Sequence, residues 1–62
     1  MNNPLLLTIE ESADRLRIKR SKMYELVATG EIKSLKIGRL RRILVRDLVA
    51  FVNRLAEQGG DQ

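Results

Sequence analysis

The sequence predicts a small α+β fold: two short helices, a β-hairpin and a closing helix. Three observations carry this. A capping pattern, Thr8 followed by Glu11, opens a run with helical spacing. The stretch from Leu35 to Leu44 changes to strand-like alternation around Gly38-Arg39. Leu48, Phe51, Val52 and Leu55 then recur at i, i+3, i+4 and i+7, one face of a helix.

The first helix is expected from about Ile9 to Leu16. Thr8 can accept from a free backbone N–H, and Glu11 can reach back to another. Ile9, Ala13 and Leu16 share a face. Glu10, Glu11 and Asp14 lie in the early turns, where the helix dipole favours anions. Before this helix, residues 1–6 read as an arm, with a short strand at Leu5 to Leu7.

Arg17-Ile18-Lys19 has room only for a tight turn. A second helix follows, near Arg20 to Thr29, with Met23, Leu26 and Val27 as its apolar stripe. Ser21 is the best capping side chain, with Lys19 as the alternative start. Gly30 sits where a C-terminal glycine turns the chain through positive φ.

Leu35-Lys36-Ile37 reads as a strand and Arg41 to Leu44 as its return. Gly38-Arg39 fits a two-residue turn with glycine first. In that register Ile37 faces Leu40, and Leu40 is expected to point to the core. A longer loop would leave Leu40 exposed at the tip. Gly59-Gly60 is expected to end the last helix. The predicted core is Ile9, Leu16, Ile18, Met23, Val27, Ile37, Ile43, Leu48, Phe51 and Leu55.

Two helices joined by a turn of three or so residues form a helix-turn-helix, and a hairpin directly after it is a wing. The whole chain, 1–62, is therefore expected to be a single winged helix-turn-helix domain with an ordered core of about 5–56.

Composition narrows the function. There is no cysteine and no histidine, which removes the commonest metal ligands and the commonest general base. No metal, cofactor or small-molecule substrate is expected. No apolar run approaches the ~18 residues of a membrane span, and the N-terminal residues lack a signal-peptide pattern, so a cytoplasmic location is expected.

Net charge is +4, but it is segregated. Residues 1–14 carry −3, residues 15–46 carry +9, and residues 47–62 carry −2. The segment Lys36 to Val45 holds four cations and no acid. A cationic block between acidic ends points to a polyanionic partner. One Phe and one Tyr supply no stacking platform, which disfavours single-stranded nucleic acid. Double-stranded DNA is the expected partner.

The stretch from Leu6 to Ile43 resembles the small excisionases, which are recombination directionality factors. It also resembles the related winged DNA-binding domains of the mercury-resistance class of regulators. The carrying residues are Leu6-Leu7-Thr8, Glu11 and Ala13, then Leu16 and Ile18 beside the turn and Tyr24 in helix 2. Gly30 and Ile37-Gly38-Arg39 before Arg42-Ile43 complete the set. The similarity covers about Leu5 to Leu55. Relatives often carry glycine where Arg17 stands, serine where Lys19 stands, and an aromatic residue where Arg41 stands. This chain has a more basic turn and wing.

The resemblance implies a bacterial, non-enzymatic protein that binds and bends duplex DNA at attachment-site arms and directs an integrase toward excision. A small transcriptional regulator would use the same module. A protein-binding adaptor or antitoxin is a third reading. Related regulators carry a dimerisation helix or effector domain after the module, whereas seven residues follow Leu55 here.

In a helix-turn-helix, the start of the second helix meets base edges in the major groove. That places Arg20, Ser21 and Lys22 first, with Glu25 one turn on. Arg can grip guanine O6 and N7, and Glu can accept from cytosine N4. Glu25 is alternatively a surface charge paired with Lys22 or Arg20. Arg39 and Arg41 belong to the wing, either inside a narrow minor groove or simply neutralising backbone. Arg17, Lys19, Lys36 and Arg42 suit phosphates, although the Arg42 stem could instead pack on the core. Tyr24 is expected to be half-buried with its hydroxyl near a phosphate. Neighbouring copies on adjacent sites would cooperate head to tail, with Glu10, Glu11 or Asp14 of one copy facing the wing of the next.

Overall fold

A computed structural model describes residues 5–59. The element order is β1 (Leu6–Leu7), α1 (Ile9–Leu16), α2 (Arg20–Ala28), β2 (Leu35–Ile37), β3 (Leu40–Leu44) and α3 (Val45–Gly59). This is the α+β winged helix-turn-helix architecture. The three strands form an antiparallel sheet in the order β1-β3-β2.

Local chemistry explains each junction. The Thr8 hydroxyl accepts from the Glu11 N–H, and the Glu11 carboxylate accepts from the Thr8 N–H, each at 2.9 Å. The capping box therefore forms as its spacing requires. At the far end, the Ile18 N–H donates to Ala13 O at 3.0 Å and the Arg17 N–H to Asp14 O at 3.1 Å. That pairing closes a helix through a left-handed residue. The residue is Arg17, at φ 59° and ψ 45°. A side chain there costs about 1 kcal/mol relative to glycine. Ile18 repays part of it by packing against the core.

The N-cap of α2 is Lys19, which makes no side-chain capping bond. Ser21 lies inside the helix and does not cap it. Thr29 lies just past the helix, where its hydroxyl donates to Leu26 O at 3.2 Å. Gly30, at φ 82°, then turns the chain, with the Glu31 N–H on Leu26 O and the Gly30 N–H on Val27 O. This delivers Ile32 into the core at 1% exposure.

The hairpin register is Leu35↔Arg42, Lys36↔Arg41 and Ile37↔Leu40, across a two-residue turn. Gly38 has φ 62°, and Arg39 does not share a positive φ, so glycine comes first in the turn. β3 begins one residue earlier than expected, at Leu40, and runs directly into α3. At the other end of the sheet β1 is confined to Leu6 and Leu7, and Leu5 is 78% exposed. Residues 1–4 of the expected arm, and Gly60, lie outside the described residues.

The core is Leu7, Ile9, Ala13, Met23, Leu26, Ile32, Ile43, Leu48 and Phe51, with Leu16, Ile18, Val27 and Val45 packed at its edge. Ser12 is fully buried among them, and its hydroxyl donates to Thr8 O at 2.9 Å. Three expected core residues are not in it. Leu40 and Ile37 are about half exposed, as is Leu55. The expected turn length was correct, but the expected burial of Leu40 was not. Side chains alternate along β3, and Leu40 lies three residues before Ile43, on the opposite face. Ile37 pairs with Leu40 and shares its exposure. Leu55 belongs to the last turns of α3, beyond the reach of the small core.

Candidate DNA interface

The turn and α2 place four polar side chains on one exposed helix end: Arg20, Ser21, Lys22 and Glu25. No acid occupies the first turn of α2. Cations there oppose the helix dipole, which favours anions at an N-terminus. With no capping side chain, the backbone N–H groups of this end also lack a local side-chain acceptor. The local sequence thus sacrifices helix stability and presents a cationic end suited to phosphate or base acceptors. Glu25 lies 3.9 Å from the Lys22 ammonium, with both side chains more than half exposed. Such a pair is weak and can open toward a partner.

The hairpin supplies the second cationic element. Lys36, Arg39 and Arg41 are exposed, and Arg42 is partly buried. The Arg41 guanidinium donates to Ser34 Oγ at 2.7 Å, which anchors its stem across the base of the wing. Arg42 donates to Arg41 O at 3.0 Å. Arg39 sits in the turn itself. Arg17 and Lys19 are exposed on the helix-turn-helix turn.

α2 and the wing border one open cleft. Its lining includes Ile9, Glu10, Tyr24, Arg39, Arg41 and Arg42. Tyr24 is half exposed, as expected, but its hydroxyl donates to Glu10 Oε2 of α1. This hydrogen bond is the first cause holding the Glu10 carboxyl below its ordinary value, with Arg20 and Arg42 adding smaller attractions. The same bond pushes the Tyr24 phenol up.

Two features of this face escaped the sequence reading. One is the Glu10–Tyr24 bond, which spans fourteen residues and follows no local period. The other is the exposed apolar pair Ile37 and Leu40, which flanks Gly38-Arg39 at the wing tip. Its signal was present in the odd spacing from Leu40 to Ile43. An apolar tip beside arginines is a surface that sugars and base edges of a minor groove accept.

Behind this face, Arg54 ties α3 to the loop after α2. Its guanidinium donates to Glu31 O at 2.9 Å and lies 5.9 Å from the centre of the Phe51 ring. Among the described residues no helix is long and apolar enough to cross a membrane.

Comparison with known proteins agrees with the geometry. Residues 6–56 match the family model described as a helix-turn-helix domain. A protein named "Probable excisionase" from Saccharopolyspora erythraea is 50% identical over 56 residues, which cover 90% of this chain and 57% of that protein. A protein named "Excisionase" from Streptomyces ambofaciens is 43% identical over 49 residues, covering 74% of this chain and 79% of that protein. The chain thus spans little more than half the length of the first relative. No solved structure gives a significant match. By the family model over residues 6–56 and by these two relatives, the chain belongs to the helix-turn-helix domain family and to the excisionases.

Proposed function

We propose that this chain binds double-stranded DNA and acts as a recombination directionality factor, helping an integrase to excise an integrated element. The observation that carries the reading is an exposed cationic start of α2 together with a basic wing whose Arg39, Arg41 and Arg42 line a cleft with Tyr24 of the same helix. In the proposed complex α2 enters the major groove, with Arg20, Ser21, Lys22 and Glu25 toward base edges. Arg39 and Arg41 reach the adjacent minor groove. Arg17, Lys19, Lys36 and Arg42 neutralise phosphates, and Tyr24 faces the same backbone. The protein performs no bond chemistry itself. It bends the attachment-site arms and leaves cleavage to the integrase.

One recognition helix and one wing cover about a turn of duplex, too little for high specificity against many competing sites. Neighbouring copies on adjacent repeats supply the rest, since DNA holds them at high effective concentration. Of the acids considered for the contact between copies, Glu10 and Glu11 already have partners in their own chain. Asp14, exposed on α1, is the better candidate to meet the next wing.

The experiment is a footprinting titration on DNA flanking the gene. Protected repeats beside an attachment site, filling together over a narrow concentration range, are the expected result. Protection confined to a promoter would identify a transcriptional regulator instead. Repeats that fill independently would remove the contact between copies.

A further inference from the structure

The cleft between α2 and the wing is lined by three arginines, Arg39, Arg41 and Arg42, and by a single acid, Glu10. Resting on the DNA-binding reading above, its position matters. If α2 enters a major groove and the wing enters the neighbouring minor groove, the strand between those grooves crosses this cleft. A carboxylate therefore stands where a phosphate strand must pass. Its Oε2 accepts the Tyr24 hydroxyl, and Arg20 and Arg42 add smaller attractions.

We propose that Glu10 is a resident anion that occupies the phosphate position of the free protein, competes with DNA backbone for Arg20, Arg42 and Tyr24, and thereby limits binding to random sequence. Random duplex supplies only phosphates, so its binding free energy comes from cations alone, and Glu10 attracts two of them, Arg20 and Arg42. Cognate duplex also offers base edges. There Arg20 turns to a guanine and makes two hydrogen bonds, which offset the attraction it gives up from Glu10. The carboxylate therefore weakens random binding more than cognate binding. The depressed carboxyl keeps its charge throughout the neutral range, so the competition is always present at physiological pH.

Two substitutions separate charge from geometry. Glu10→Gln removes the charge, and its amide oxygen still accepts from Tyr24. Tyr24→Phe removes the hydrogen bond and leaves the charge. Cognate duplex is taken from selection of a random pool by the parent protein, and affinities are measured over a salt series. Glu10→Gln is expected to bind random duplex roughly 2- to 5-fold more tightly, the scale of one exposed charge interaction. It should tighten cognate duplex less, and its salt slope on random duplex should steepen. Tyr24→Phe should not tighten random binding. Unchanged or weaker random binding by Glu10→Gln, equal tightening on both duplexes, or the same gain in Tyr24→Phe would each overturn the proposal. A parent that binds neither duplex would remove the DNA-binding reading and this inference together. A parent that binds both, beside a Glu10→Gln that gains nothing, would remove the inference alone.

Discussion

Phe51→Ala is expected to destabilise the domain by about 3–5 kcal/mol, the range for truncating a buried aromatic. Phe51 is 6% exposed, lies midway along α3, and belongs to the core with Met23, Leu26 and Leu48. Its ring also carries the Arg54 guanidinium, which links α3 to the loop at Glu31. The effect is large relative to the whole. Domains of this length have on the order of 3–9 kcal/mol of stability, at roughly 0.05–0.15 kcal/mol per residue. There is no cysteine to provide a compensating disulfide. Thermal and urea unfolding should therefore show a chain largely unfolded near room temperature. A cooperative transition close to that of the parent would contradict the role given to α3.

Arg20→Ala is expected to weaken cognate binding by about 1–3 kcal/mol and to relax preference at one base pair. Arg20 is the first residue of α2 and is exposed. Its removal should leave the fold intact, since a cation at a helix N-terminus opposes the dipole. Unfolding curves should match the parent, while selection from a random duplex pool should lose one position of its consensus. Equal losses on cognate and random duplex would reduce Arg20 to a phosphate contact.

Much of the fold was legible because its junctions rest on local chemistry. Thr8 and Glu11 define the start of α1 through two hydrogen bonds only three residues apart. Gly30 and Gly38 mark the two glycine turns by the φ they permit. Arg17 is the informative exception, a non-glycine in the left-handed position, recognised only because relatives often place glycine there. The burial of Leu40 and Ile37 was misread. Alternation along β3 sets Leu40 on the face opposite Ile43, and Ile37, its partner across the turn, shares that exposure. Leu55, at the end of α3, is half exposed as well. Ile32 was missed because a lone apolar residue after a turn has no period. Ser12 was missed because its polarity is satisfied by a backbone carbonyl one turn back. On the candidate interface, the exposed cations of α2 and the wing were readable from charge and order. The Glu10–Tyr24 contact was not, since only the packing of α1 against α2 brings the two together.

In the proposed complex the α2 end and the wing together form the DNA face. This arrangement is tested most directly by titrating the isotope-labelled chain with duplex and following each backbone amide by NMR. The account predicts that the largest shifts fall on Arg20 to Glu25 and on Gly38 to Arg42. The exposed face of α3, at Val49, Val52 and Leu55, should stay nearly unmoved. Shifts concentrated on α3, with α2 and the wing unchanged, would contradict it.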